Sequence, residues 1–396
     1  MKPLRALFVL LLVACIVCTG WLMAQKNLEH RLRSKAAEAE TDIRLIAARG
    51  GDPAPILAIM QQVKPALDAG HPHQAEALLD RAHSLASETL QKLQPGNSSP
   101  LPVDEAPEKQ SNLYIDPQPV AIEGYQGNAM EPFISPDGQY LFFNNENDPR
   151  TDTNLYWARR TGTRSFRSLG ELPGANSPSL DAVASLDAAG HFYFTTLRTY
   201  DRTMNSIYTG DFNQDGLSNV RPVPGDISPK IPGTVNMDVS ISPDGQTLYI
   251  SRAVIVPGAS APKKSELMVA VQRQGAFHLD PNSTQIMHNI NTGALQYAPC
   301  ISADGLELYF TRASQRPSGP SVRIMVATRS SASQPFGEPE VLQSLSGFVE
   351  APSISADSKE MFFHKKVGDR YTIYRAERKR NMKSDARVNP GHPSAE

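Results

Sequence analysis

The chain has 396 residues and a formal net charge of −2, so it offers no bulk electrostatic pull toward nucleic acid or an anionic membrane. Its 32 prolines and 26 glycines imply frequent turns rather than a helical bundle. Three cysteines, two of them inside one apolar run, support no intramolecular disulfide framework.

Residues 1–24 open with Lys2 and Arg5 and continue as an apolar run from Leu7 to Ala24. That run is short for a membrane span and long for a signal-peptide core. An uncleaved signal anchor with its basic end in the cytoplasm is expected. A cleaved signal ending near Ala24, or a lipoprotein carrying its lipid on Cys15, are the alternatives. The remainder of the chain is then anchored to the inner membrane facing the periplasm, or secreted.

Residues 25–93 have helical composition. Ile56, Met60, Val63 and Leu67 form one apolar stripe ending at Gly70, and Ala75, Leu78, Leu79, Ala82 and Leu85 form a second. Two such stripes joined by a Gly-containing turn predict an antiparallel helix pair. The segment LDAGHPHQAEALLDRA resembles one tetratricopeptide-type hairpin, and His71 and His73 read as solvated turn residues. Residues 94–116 are rich in Pro and Ser and read as a linker. Residues 379–396 have no apolar period and are expected to be disordered.

Between linker and tail one unit recurs. Its copies are EPFISPDGQYLFF, DAVASLDAAGHFYF, DVSISPDGQTLYI, APCISADGLELYF and APSISADSKEMFF. Their turn aspartates are read as Asp137, Asp187, Asp244, Asp304 and Asp357, at intervals of 50, 57, 60 and 53 residues. In SPDG, Pro presets φ, Asp suits the third turn position and Gly takes the left-handed fourth, which makes a tight hairpin. SLDAAG carries an extra residue, and Ser358 stands where Gly belongs. An alternating strand follows each turn, then a loop, a third strand and a weaker fourth. Four strands per repeat make one propeller blade. The last repeat stops after its third strand, near Arg378, and a spare strand at Pro117–Ile122 precedes the first. The expectation is therefore an all-β fold over residues 117–378, a five-bladed β-propeller whose N-terminal strand completes the last blade.

The repeat, with its SPDG turn, aromatic second strand and LY or IY third strand, resembles the TolB-type, WD40-like propeller repeat over about two thirds of the chain. The resemblance implies the propeller fold and little about function, since such folds serve many activities. The anchor and helix pair stand where TolB has a different domain, so TolB's binding role is not carried over.

Six residues before the turn aspartates stand Glu131, Asp181 and Asp238 in three successive repeats, with Tyr297 and Glu350 one residue earlier in the other two. Arg198, Arg252, Arg312 and Lys365 end the second strands. Antiparallel pairing places strand starts beside strand ends, so these acids and bases are expected at one mouth of the channel. They can tie blades together, or bind a sugar, peptide or anionic group as a polar funnel. They can also act on a glycan: five-bladed arabinanase-like glycosidases carry three carboxylates on successive inner strands, and Glu131, Asp181 and Asp238 match that count. Asp211, Asn213, Asp215 and Asn219 follow the spacing of a calcium loop around Gly216 and form a candidate Ca²⁺ site, though Pro222 stands where the bidentate Glu of an EF-hand would be. The functional expectation is a membrane-tethered propeller that binds an envelope protein or glycan, and the alternative is a glycosidase-like enzyme.

Overall fold

The computed structural model describes residues 28, 31–43, 46, 52–92, 101–104, 108–148, 152–256 and 261–379. The N-terminal apolar run and most of the expected C-terminal tail lie outside these residues. No helix among the described residues is long and apolar enough to cross a membrane. The chain divides into two compact units, Met1–Ser98 and Ser99–Glu396.

In the first unit, residues 31–43 are helical (α1), and α2 (Ala54–Asp68) and α3 (Pro72–Lys92) form the expected antiparallel pair. Pro55 lies at the start of α2, where its missing N–H costs nothing, and Gly70 adopts φ +78° in the turn that follows. Ile56, Ile59, Val63 and Ala66 are buried against Ala75, Leu79, Ala82 and Ala86 of α3 and Leu32 and Ala39 of α1. The expected stripe is thus displaced, because α2 faces two neighbours and its buried arc is wider. Leu67, placed in that stripe, is 41% exposed.

The second unit is a five-bladed β-propeller. Three short strands come first: β1 (Lys109–Ser111), β2 (Tyr114–Pro119) and β3 (Ala121–Glu123). Blade 1 follows as β4 (Met130–Ile134), β5 (Tyr140–Asn144), β6 (Leu155–Arg160) and β7 (Ser165–Glu171). Blade 2 is β8 (Asp181–Leu186), β9 (His191–Thr196), β10 (Ile207–Asn213) and β11 (Gly216–Pro222). Blade 3 is β12 (Thr234–Ile241), β13 (Thr247–Val254), β14 (Lys264–Arg273) and β15 (Ala276–Leu279). Blade 4 is β16 (Leu295–Ile301), β17 (Glu307–Arg316), β18 (Gly319–Thr328) and β19 (Glu340–Leu342). Blade 5 is β20 (Val349–Ile354), β21 (Glu360–Val367) and β22 (Arg370–Arg378), completed by β2 antiparallel to β22. The innermost strands β4, β8, β12, β16 and β20 neighbour one another around the ring.

The N-terminal strands do more than close the last blade. β1 pairs parallel with β19 of blade 4, and β3 pairs parallel with β7 of blade 1. Residues Lys109–Glu123 therefore form a belt along the outer edges of blades 4, 5 and 1. Part of the stretch read as linker belongs to this belt, and its added strands cover edges that would otherwise expose unpaired backbone groups.

The core lies between blades. Phe142, Trp157, Phe192 and Phe194 fill the gap between blades 1 and 2, and Phe143, Phe166, Phe362 and Ile373 that between blades 5 and 1. The other three gaps are filled in the same way. Each blade is thus covered on both faces. That is why the second strands carry unbroken buried triplets, Leu141–Phe143, Phe192–Phe194, Leu248–Ile250, Leu308–Phe310 and Met361–Phe363, instead of the expected alternation. Full burial of one such aromatic contributes about 2–3 kcal/mol.

The turns follow the expected chemistry in four blades. Gly138, Gly245 and Gly305 lie at φ +70° to +72°, and Ser358 is held at φ +57° in their place. The serine that opens each turn (Ser135, Ser242, Ser302, Ser355) donates its hydroxyl to the turn aspartate and accepts the N–H five residues on. Blade 2 departs. Ser185 pairs with Tyr193 and Leu186 with Phe192, as Phe133 pairs with Phe142 and Ile134 with Leu141. Asp187 therefore occupies the serine position, not the aspartate position, and its Oδ1 accepts the N–H groups of Ala189 and His191.

Candidate functional site at the channel mouth

Each inner strand is interrupted by a register shift. In four of them the bulged residue has positive φ: Glu131 (+47°), Val183 (+55°), Ala298 (+48°) and Ala351 (+55°). The bulge turns a backbone N–H out of the ladder, and the preceding blade supplies its acceptor. Val183 N–H donates to Asn144 Oδ1 (3.3 Å), Ala351 N–H to Thr311 Oγ1 (2.9 Å) and Glu131 N–H to His364 Nδ1 (3.1 Å). Asn144, Thr311 and His364 hold one position, directly after the apolar triplet of the second strand. The Ala298 N–H instead finds Asp238 Oδ2 at 2.9 Å.

This frame brings Glu131, Asp238, Tyr297, Glu350 and His364 together. The Tyr297 hydroxyl donates to Glu350 Oε1, and His364 Nε2 lies 3.0 Å from Glu350 Oε2. Because His364 Nδ1 accepts the Glu131 N–H, its proton sits on Nε2 and points at Glu350. Asn147 Nδ2 donates to Glu131 Oε1 at 2.8 Å, while Glu131 Oε2 is buried with no hydrogen-bond partner. Burial, with the Glu350 charge, pushes the Glu131 carboxyl above the ordinary range, although His364 opposes it. Burial, then the charge of Glu131, pushes Asp238 up to about 7. Burial and Glu350 push the Tyr297 phenol well up, and Glu131 and Asp238 add to it. The bulged segments, Glu131 among them, line an axial cavity of about 30 Å³ walled by Val183, Val239, Ala298 and Ala351. That is room for about one or two waters.

Asp181 does not join this cluster. It lies fully buried, with Oδ1 2.7 Å from Arg198 Nη2 and Oδ2 accepting the N–H and hydroxyl of Ser177. The displacement follows from the turn. With Asp187 at the serine position, the residue matching Glu131 is Val183, and Asp181 falls two places earlier. The set of acids at the mouth is therefore Glu131, Asp238 and Glu350. The basic residues are also placed differently from a free funnel. Arg198 and Arg252 donate to the carbonyls of Ala175 and Ile227, and Arg312 reaches that of Ile290 at 3.3 Å. Arg252 Nε is bonded to Asn236 Oδ1, not to Asp238.

His364 went unselected in the sequence, yet a readable signal marks it. Every second strand follows its apolar triplet with a polar residue: Asn144, Thr195, Ser251, Thr311 or His364. All five are buried, and only His364 has an ionisable side chain.

The candidate calcium residues lie on the β10–β11 hairpin. Asn219 Nδ2 donates to Asp211 Oδ2 at 2.7 Å, and Asn213 Oδ1 accepts the Asp215 N–H at 2.8 Å. Asn219 adopts φ +53°. These bonds account for the residue types as hairpin chemistry. Among the described residues no group of three or more His, Cys, Asp and Glu side chains is placed to hold a metal ion.

No family model matches the chain, and no curated protein does. Several solved structures are similar to it at low identity. A thermostable family-43 glycoside hydrolase is 14% identical with a TM-score of 0.41, over 70% of this chain and 100% of that one. Zg3597, a family 117 glycoside hydrolase from the marine bacterium Zobellia galactanivorans, is 10% identical with a TM-score of 0.43, over 68% and 91%. The catalytic domain of the Coprinopsis cinerea GH62 α-L-arabinofuranosidase is 11% identical with a TM-score of 0.41, over 69% and 98%. At this distance the likenesses carry no argument about activity.

Proposed function

We propose that the propeller is a carbohydrate-active protein that works through Glu131, Asp238 and Glu350. The observation that carries this reading is the unequal environment of three neighbouring carboxyl groups. Asp238, pushed up to about 7 first by burial and then by the charge of Glu131, is protonated in a large fraction of molecules at neutral pH and suits a general acid. Glu350 accepts hydrogen bonds on both oxygens, from Tyr297 and His364, an environment suited to a carboxylate. Glycoside hydrolysis needs one carboxyl to protonate the leaving oxygen and another to activate water or attack carbon. Environments that separate neighbouring carboxyls supply that division of labour.

A second reading is a binding module, tethered at a membrane by the N-terminal run, that holds an envelope protein or glycan without turning it over. The burial of the acids and the narrowness of the axial cavity favour it, since a sugar would rest over the mouth rather than within it. The TolB-type likeness of the repeat belongs to this reading. The full chain, incubated with a panel of poly- and oligosaccharides, separates the two. Release of reducing ends, reduced by roughly 100-fold or more in Asp238→Asn, supports the enzyme. Calorimetric glycan binding without products supports the module. Neither turnover nor binding removes both.

A further inference from the structure

Blades 3 and 4 carry the same device at the mouth, an arginine at the end of the second strand paired in register with a polar residue on the inner strand and capping a loop carbonyl. Blade 2 has a related arrangement in which Thr196 pairs with Asp181 and Arg198, two residues on, supplies the guanidinium. In blade 2, Arg198 Nε donates to Thr196 Oγ1 and Nη2 to Asp181. In blade 3, Arg252 Nε donates to Asn236 Oδ1, and Asn236 Nδ2 donates to the Ile227 carbonyl. These two are closed. In blade 4 the facing pair is Gln296 and Arg312. Gln296 is fully buried, yet neither Oε1 nor Nε2 has a hydrogen-bond partner, and Arg312 Nε has none either. Three unmet groups at one place, where two sister blades have none, are costly without a partner.

The chain's own Asp104 stands over this gap. Gln315 N–H donates to the Pro102 carbonyl (2.9 Å) and Asp104 N–H to the Gln315 carbonyl (3.1 Å). This pairing sets Asp104 Oδ2 3.9 Å from Arg312 Nη1 and 3.8 Å from Arg316 Nη1, ion-pair distances longer than a hydrogen bond. Glu108 takes Arg316 at 3.1 Å and also contacts Arg323.

We propose that Gln296, Arg312 and Arg316 form a subsite for the carboxylate and neighbouring hydroxyl of a uronic-acid unit, and that Asp104 stands in for that carboxylate. Guanidinium groups suit a carboxylate. A primary amide with both ends open suits a hydroxyl, which receives from Nε2 and gives to Oε1. A carboxylate beside a hydroxyl is the edge a uronate presents. The inference rests on the glycan reading above and names its substrate class.

Calorimetry on the full chain tests it, with trisaccharides of galacturonate and of glucuronate and their neutral methyl esters. At least one acid form should bind about tenfold more tightly than its ester. Asp104→Ala should tighten the acid form roughly threefold or more and leave the ester unchanged. Gln296→Leu should weaken acid and ester alike in a chain whose melting temperature is retained, and Arg312→Lys should reduce the preference for the acid. Equal affinity for acid and ester, or weaker acid binding in Asp104→Ala, overturns the subsite. If esters or neutral glycans still bind or are cleaved, the glycan reading survives that failure. If wild type and Asp104→Ala bind and cleave no saccharide, both fall.

Discussion

The backbone N–H of Glu131 donates to Nδ1 of His364 across the joint between the first and last blades. At the matching joint Val183 uses Asn144. Asparagine at position 364 should therefore keep the acceptor, and leucine should not. We expect His364→Leu to cost about 2–3 kcal/mol and His364→Asn about 1 kcal/mol or less, because only the former leaves a buried donor unmet. Urea unfolding at pH 7 checks this. Equal losses would show that the bond adds nothing.

Asp238 gives a pH dependence of definite sign. Its folded pKa, about 7, lies above the ordinary aspartate value, so the folded state binds the extra proton. The contribution is present below the unfolded pKa and is lost as pH rises from about 4 through about 7. Asp238→Asn should flatten the stability profile over that window and raise the melting temperature at pH 8. A wild-type profile unchanged by the substitution would contradict the shift.

Asp181 separates structural from functional acids. It is buried against Arg198, itself partly exposed, so Asp181→Ala should destabilise by about 2–3 kcal/mol, somewhat less than for a fully buried pair. Its effect on turnover or binding, measured well below the melting temperature, should stay within roughly twofold. A selective loss of activity with stability retained would return Asp181 to the site.

Ser358 sits at φ +57° where sister turns use glycine. Ser358→Gly should relieve backbone strain and stabilise by about 0.5–1 kcal/mol, the glycine's extra unfolded-state entropy taking back part of the gain. The Tyr114 hydroxyl, which donates to the Ser358 carbonyl at 2.7 Å, is unaffected by the change. Thermal unfolding is the measurement, and a lower midpoint would speak against strain at this turn.

The β10–β11 hairpin offers a metal test. With Asp211 Oδ2 and Asn213 Oδ1 already engaged inside the hairpin, millimolar Ca²⁺ should leave the melting temperature unchanged. A rise abolished by Asp215→Ala would instead establish a calcium loop here.

Much of the fold was legible because its determinants are local. The SPDG turns need particular φ values from particular residues, and the repeat of about 50–60 residues reports a supersecondary unit that cannot bury its faces alone. The spare strand before the first repeat announced ring closure, and β2 indeed pairs with β22. The belt to blades 4 and 1 was not legible, since Lys109–Ser111 and Ala121–Glu123 are too short to carry a strand pattern.

The sequence by itself therefore determined the five blades, their strand count, the turn chemistry and the presence of acids near the inner-strand starts. Tertiary structure alone decided which of those acids meet. Asp187 took a serine's place and moved Asp181 two positions, onto Arg198, and bulges aimed Glu131 and the Ala298 N–H across blade boundaries at His364 and Asp238. A turn is written in four adjacent residues, whereas the companions of a buried carboxylate are set by the register of strands more than two hundred residues apart.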